Sequence, residues 1–515
     1  MAADTATSAA SETGVEISAG KLRGIEQNGV KIFKGVSYGA PVSGADRFRA
    51  PKPAPAWAGV RDAREYGPSA PQGTSLAPEP ARPEGGSLQG DGSTFAEDCL
   101  VLNVWTPSYE GKRPVMVWIH GGGFRTGSGS ARLYDGATLA KREDVVVVTI
   151  NHRLGVFGYL DLGAWSGDDA DSASAGMADC ILALRWVKEN AAAFGGDPGN
   201  VTIFGESGGG RKTSVLMAMP AAQGLFHRCV VQSGSALRMD TKAVGQERAE
   251  KLFAALGLKP GAIDALRALP AEAILAAGNE AMRTTGQFRP IAGAPSLPAH
   301  PFDPAAPALS AAIPMMIGTN RTEASFALAR DRRVLEIDEA GVLKRLERLV
   351  PEEKAGAVLA AYKRLYPDAK PCDVLFMAAT DRGYFLDATI QAGRKADQGG
   401  APAFFYQFYW EQKLPNGSTH CPHGSEIAFV FGNIQSRSES AARLSAQMSA
   451  AWAAFARTGD PSTPALAWPR YDSQTRPTMM WKPAPAIEND PRREQRNLML
   501  AFGSQQYGDR EIAPM

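Results

Sequence analysis

The sequence predicts an α/β fold: a large, mostly parallel central sheet, helices on both faces, and a helical cap or side subdomain. Three observations carry this. Short apolar runs recur along the chain with helical stretches between them. Several of those runs are apolar without alternation, as strands covered on both faces must be. The 515 residues are 44% hydrophobic and 21% charged, an ordinary globular composition long enough for a large core.

In chain order, residues 1–14 are rich in Ala, Ser and Thr and read as a floppy tail. Residues 15–515 read as one catalytic domain. Residues 73–94, rich in Pro, Gly and Ser, read as a long surface loop. Strands are expected at 115–119, 145–150, 201–204, 229–231, 314–317 and 404–408. Helices are expected at 178–193 and 441–458, and at 213–219, closed by Pro220. Residues roughly 240–400 carry further helical segments, including 340–350 and 352–365, and form the cap. There is no internal repeat.

Charge and cysteine content narrow the class. A net charge of +1 gives no reason to expect nucleic acid or an anionic membrane as partner. No apolar run spans a bilayer. The N-terminus has no basic start and no apolar stretch, so the chain as written reads as cytoplasmic; an export signal already removed is compatible with that reading. Five widely spaced cysteines, an odd number, argue against a disulfide framework.

The most informative pattern is Gly205-Glu206-Ser207-Gly208-Gly209, directly after the run Val201-Thr202-Ile203-Phe204. A serine hydroxyl is a weak nucleophile until geometry helps it. A Gly-x-Ser-x-Gly turn between strand and helix lifts the oxygen clear of the sheet and keeps neighbours small. With 54 glycines the pattern alone arises by chance on the order of a few tenths of a time per chain. Its context, a breaker-rich loop, a strand, the turn, then a helix, is what the motif requires. A second signal is His120-Gly121-Gly122-Gly123-Phe124, straight after 115–119. Glycines at a strand end expose backbone N–H groups that can bind an oxyanion.

Ser207 needs a base. With such a turn the chain order is nucleophile, acid, histidine, which favours His420 or His423 among the six histidines. His423 is chosen, and His420 is read as a surface histidine. The acid should follow a strand between them, and Glu323, after Met315-Met316-Ile317-Gly318, fits. The residues alone do not single it out, since a surface carboxylate in a first helical turn fits equally. Arg211 and Lys212 lie in the first turn of the helix after the serine, where cations oppose the helix dipole. They read either as surface side chains paired with acids or as groups that attract a substrate carboxylate. His420-Cys421-x-His423 has no second cluster to complete a metal site, so no metal is expected.

Taken together, these residues resemble the type-B carboxylesterase/cholinesterase family of the α/β-hydrolase fold. The resemblance runs over nearly the whole chain. It is carried by Phe33-Lys34-Gly35-Val36-Ser37-Tyr38, Arg47-Phe48, Glu97-Asp98-Cys99-Leu100, the glycine triplet, Asn151-His152-Arg153-Leu154-Gly155, Phe194-Gly195-Gly196-Asp197-Pro198, the serine turn, Gln232-Ser233-Gly234, Gly318-Thr319-Asn320 with Glu323, His423-Gly424-Ser425-Glu426, and Trp468-Pro469. It implies a carboxylic-ester hydrolase with a Ser207–Glu323–His423 triad, an acyl-enzyme, a small-molecule ester as substrate and no cofactor. It implies an oxyanion hole of Gly122, Gly123 and Gly208, a supporting Ser233, and an Arg47–Glu97 ion pair. Carbamates or amides are alternative substrates of the same triad. A binding protein on the same fold is the rival that retention of all these residues argues against.

Three departures from the family pattern stand out. Gly208 stands where the family commonly has Ala. Ala70 stands at a position often occupied by Cys, so Cys99 is expected to lack a disulfide partner. No Trp lies between Trp57 and Trp105, which argues against a platform for quaternary ammonium ions.

Overall fold

The structure, a computed structural model, describes residues 10–73 and 94–506. Its strands are β1 (Ser11–Ile17), β2 (Gly20–Gln27), β3 (Val30–Ser37), β4 (Val60–Asp62), β5 (Val101–Thr106), β6 (Arg113–Ile119), β7 (Val146–Ile150), β8 (Gly196–Glu206), β9 (Arg228–Gln232), β10 (Met315–Asn320), β11 (Ala403–Phe408), β12 (Gln412–Lys413), β13 (Thr419–His420), β14 (Pro477–Trp481) and β15 (Ala486–Asn489). Thirteen of them form one sheet in the order β1-β2-β3-β5-β7-β6-β8-β9-β10-β11-β14-β15, with β4 beside β2. The pairs from β7 through β14 are parallel. The flanking pairs β1–β2, β2–β3, β3–β5, β5–β7 and β14–β15 are antiparallel.

The parallel strands are apolar on both faces because both faces are covered. In β6, Val115, Val117 and Ile119 belong to one core, and Met116 and Trp118 to the other. In β7, Val146, Val148 and Ile150 face the first core and Val147 the second. Side chains alternate along a strand, so an unbroken apolar run serves two cores at once. A third core lies among the helices Glu339–Leu346, Glu352–Leu365 and Pro371–Thr380.

Three expectations change. Residues 11–14 are not tail, because Ser11–Ile17 pairs with Gly20–Gln27 from Ser11↔Glu26 to Ile17↔Gly20. Thr13, Val15 and Ile17 turn inward at period two while Glu12 and Glu16 stay exposed, and Thr13 Oγ1 is 2.7 Å from the Tyr109 hydroxyl. The helix after the serine runs Gly208–Leu216 rather than 213–219. Its glycines read as breakers in sequence, but a methyl on Gly209 would overlap the carbonyl of Ile119, so the helix can pass β6 only with glycine there. The edge strands β1 to β3 and β15, which pair antiparallel, and β14, parallel to β11, also join the sheet. The expected 73–94 loop, for residues 74–93, and residues 1–9 lie outside the described residues.

Candidate active site

The expected site residues gather at the carboxyl ends of five neighbouring strands, where open α/β sheets bind ligands. The glycine triplet follows β6, Ser207 follows β8, Ser233 follows β9 and Glu323 lies just past β10. His423 follows β11 by way of the β12–β13 hairpin. Register aligns them: Ile119 pairs with Gly205, Glu206 with Gln232, and Gln232 with Gly318.

Ser207 sits in a strained turn, with φ 56° and ψ −121°, and the helix begins at the next residue. Non-glycine residues rarely hold positive φ, and such strain collects at functional sites. The turn is tied down by two backbone bonds: Ser207 N–H donates to Gln232 O at 2.8 Å, and Arg211 N–H to Ser207 O at 3.0 Å. Ser233 repeats the device one strand away, with φ 48° and its N–H on Gly318 O at 2.8 Å.

The loop bearing His423 is held against the end of β10. Cys421 N–H donates to Thr322 Oγ1 at 2.6 Å, Thr322 N–H to Cys421 O at 3.2 Å, and the Asn320 amide to Pro422 O at 2.8 Å. His423 Nδ1 then lies 2.6 Å from Glu323 Oε2. The other oxygen of Glu323 accepts from Ser233 Oγ–H at 2.5 Å and from Asn320 N–H at 2.6 Å. Burial pushes the Glu323 carboxyl up, and these two donors act against that by favouring the carboxylate. A carboxylate only accepts, so the imidazole proton belongs on Nδ1 and leaves Nε2 as the basic nitrogen.

Several neighbours were missed in the sequence. Glu206, the variable residue of the serine motif, is buried with Oε1 3.1 Å from His423 Nε2. Behind it runs a buried polar chain: Trp452 Nε1–H to Gln232 Oε1 at 3.1 Å, Gln232 Nε2 to Glu426 Oε1 at 3.2 Å, and Asn320 Nδ2 to Glu426 Oε2 at 2.8 Å. Gln232, Asn320 and Glu426 each lie in one of the motifs quoted above, but nothing in the sequence showed that they meet. Tyr384 and Phe326 place their rings 5.1 and 5.9 Å from the His423 ring. Tyr384 is on a π-helical turn, Asp381–Phe385, between the helices Pro371–Thr380 and Leu386–Asp397.

The glycine loop is equally specific. Gly122 and Gly123 have φ of 87° and 66°, and a methyl on Gly208 would overlap the Gly123 carbonyl. Phe124 N–H donates to Gln287 Oε1 at 3.3 Å. Beneath the loop His120 and His152 stack at 4.7 Å, with burial and the nearby Lys212 pushing both well down, His120 to about 3.

Two expectations are corrected. His420 is not a surface histidine. It is partly buried, 3.3 Å from Ser325 Oγ, and burial lowers it to about 4. Arg211 and Lys212 are not solvent-facing cations either, since both are buried. Among the described residues the Lys212 ammonium pairs with no acid; it donates to Gly123 O at 2.6 Å and Gly208 O at 3.3 Å. Elsewhere Arg47 and Glu97 form a two-pronged pair at 2.6 and 2.7 Å, and all five cysteines are buried thiols. Among the described residues no three His, Cys, Asp or Glu side chains group to hold a metal, and no helix is long and apolar enough to cross a membrane.

Known proteins resemble this chain over most of its length. A family model described as the carboxylesterase family matches residues 11–499. The chain is 37% identical to a para-nitrobenzyl esterase of Bacillus subtilis (strain 168) over 497 residues, 93% of this chain and 97% of that protein. It is 34% identical to a phenmedipham hydrolase of Pseudarthrobacter oxydans, over 88% of this chain and 92% of that one. The solved structure of Geobacillus stearothermophilus carboxylesterase EST55 superposes with a TM-score of 0.82 at 35% identity, covering 95% of this chain and 100% of that one. The fold is therefore the α/β-hydrolase fold, and the chain belongs to the carboxylesterase family as an ester hydrolase.

Proposed function

We propose that the protein cleaves carboxylic esters through Ser207, His423 and Glu323 by way of a covalent acyl-enzyme. The observation that carries this is the 2.6 Å contact of His423 with Glu323, made at the sheet rim where Ser207 is held at φ 56°. Ser207 Oγ attacks the ester carbonyl while His423 Nε2 takes its proton. Glu323 holds the tautomer and stabilises the imidazolium, and Ser233 holds Glu323. The negative oxygen of the tetrahedral intermediate is received by the N–H groups of Gly122, Gly123 and Gly208. His423 then protonates the leaving alcohol, and water activated by the same nitrogen releases the acid.

The residues from Ser11 onward act as one catalytic unit in this reading. The segments between about 240 and 400 supply its walls, since Gln287, Phe326 and Tyr384 all come from them. Arg211, buried one turn beyond Ser207, is the residue assigned to a substrate carboxylate. Carbamates or amides are the second substrate class, favoured by the relative named for phenmedipham.

The test is a burst experiment with a para-nitrobenzyl ester and phenmedipham as probes. Wild type should show a burst and take up one organophosphate per chain, and Ser207→Ala should lose both. A burst that survives Ser207→Ala means another nucleophile.

A further inference from the structure

The described structure leaves one buried cation in the site without a chemical task. Lys212 is fully buried, and no carboxylate among the described residues pairs with it. Its ammonium donates to the carbonyl oxygens of Gly123 and Gly208, 2.6 and 3.3 Å away, with the Phe124 ring 5.1 Å off. Lysine is almost never fully buried unless paired, because desolvating its charge is costly. A helix core would be served better by a methionine.

What the ammonium joins is informative. Gly123 belongs to the loop after β6 and Gly208 to the first turn after Ser207. No strand ladder or helix bond connects those two segments at this level. They touch directly: a Cβ on Gly208 would overlap Gly123 O and lie 2.5 Å from both Gly123 Cα and Gly123 N. The volume of a methyl is thus filled by the backbone of the neighbouring loop, and Lys212 grips both residues by their carbonyls.

We propose that Lys212 is a positioning residue that straps the glycine loop to the serine turn, fixing the spacing between the N–H donors of Gly123 and Gly208, and that Gly208 is what lets the strap close. The proposal rests on the ester-hydrolase reading above, in which those N–H groups receive the oxyanion. An oxyanion site works by being set before the charge develops, and small misplacements are expensive. Two segments on separate strands, each with glycine freedom, need a tie to hold that setting. Gln287 ties the loop from the other side through Phe124 N–H.

The experiment compares wild type with Lys212→Met, Lys212→Gln, Gly208→Ala and the Gly208→Ala/Lys212→Met double variant. Three quantities are read per organophosphate-titrated site: the acylation rate, KM, and the inhibition constant of a trifluoromethyl ketone, whose hemiketal carries an oxyanion. Lys212→Met should lower the acylation rate and the ketone affinity in parallel, roughly 10- to 100-fold, with KM within about threefold. Lys212→Gln, which keeps a donor, should recover most of the loss. In the Gly208→Ala background Lys212→Met should cost less than about threefold more, because the strap is already open.

A Lys212→Met enzyme with wild-type acylation rate and ketone affinity overturns the proposal. So do a loss confined to melting temperature, full additivity with Gly208→Ala, or failure of both lysine variants to fold, which would make Lys212 a plain core residue. Ser207→Ala run alongside separates the two levels. Turnover that persists there removes the catalytic reading itself, whereas a Lys212→Met enzyme that behaves as wild type removes only the strap.

Discussion

Glu206 Oε1 lies 3.1 Å from Nε2 of His423, and Glu323 Oε2 lies 2.6 Å from Nδ1 of the same ring. The imidazole is therefore bracketed by two buried carboxylates. When Nε2 takes the serine proton, the new charge forms within reach of the Glu206 carboxyl group. Glu206→Gln keeps the shape and removes the acid. It should lower kcat by roughly 10- to 100-fold with KM little changed, since the interaction grows only as the imidazolium forms. Steady-state kinetics on the purified variant checks this, and an unchanged kcat contradicts it.

The contact of Ser233 Oγ with Glu323 Oε1, 2.5 Å, makes a second expectation. Hydrogen bonds to charged groups are worth about 1.5–3 kcal/mol. Ser233→Ala removes one of the two donors that work against the burial holding the Glu323 carboxyl up at about 8. The variant should fold normally and lose about 10-fold or more in kcat. Ser233→Thr, which restores the hydroxyl, should recover part of the rate.

Lys212 gives a stability expectation with a definite sign. Burial holds its ammonium down from 10.5 to about 7. The titratable groups around it stay fixed across that window: Cys180 is pushed up to about 12, His120 down to about 3 and His152 down as well, and Arg211 stays charged. Between pH 7 and 10.5 the unfolded chain therefore binds one more proton at this lysine than the native one does. The lysine's contribution rises with pH there by about 1.4 kcal/mol per unit. Lys212→Met lacks that rise, so its stability relative to wild type should be most favourable at or below pH 7 and decline steadily toward pH 10. Urea unfolding at pH 7 and pH 9 measures it, and a difference that does not move with pH contradicts it.

Arg211 is buried one turn beyond Ser207. If it receives a substrate carboxylate, Arg211→Ala should lower kcat/KM for an ester carrying a free carboxylate by about 10-fold or more and leave its neutral counterpart within about twofold. An equal loss on both esters would assign Arg211 to the packing of the helix Gly208–Leu216.

The parallel core strands were legible in sequence because burial on both faces leaves unbroken apolar runs such as Val145–Val148. The antiparallel edges were not, since β1 reads as Ser, Glu, Thr and Gly and gains its order from pairing with β2 and from Tyr109. Ser207 and the glycine triplet were legible as local geometry. Glu323 needed the family resemblance, because one acid looks like another until a fold brings it to a histidine. Glu206 stayed hidden inside the motif itself, as its variable position. Lys212 was misread because helix periodicity near a glycine run gave no sign that β6 would pass over that face.

Tyr384 reaches His423 from a turn that holds one residue more than an α-helix would. Every side chain on one side of such a turn is out of phase with the other by about 100°, the angle between successive helical residues. A deletion within Asp381–Phe385 would bring the two helices back into phase and swing the phenol away from the imidazole, while leaving their packing ends nearly where they are. For this wall of the site, then, the natural unit of change is the length of the chain rather than the identity of a residue, and a single lost codon would redraw the space offered to a substrate more than most substitutions at Tyr384.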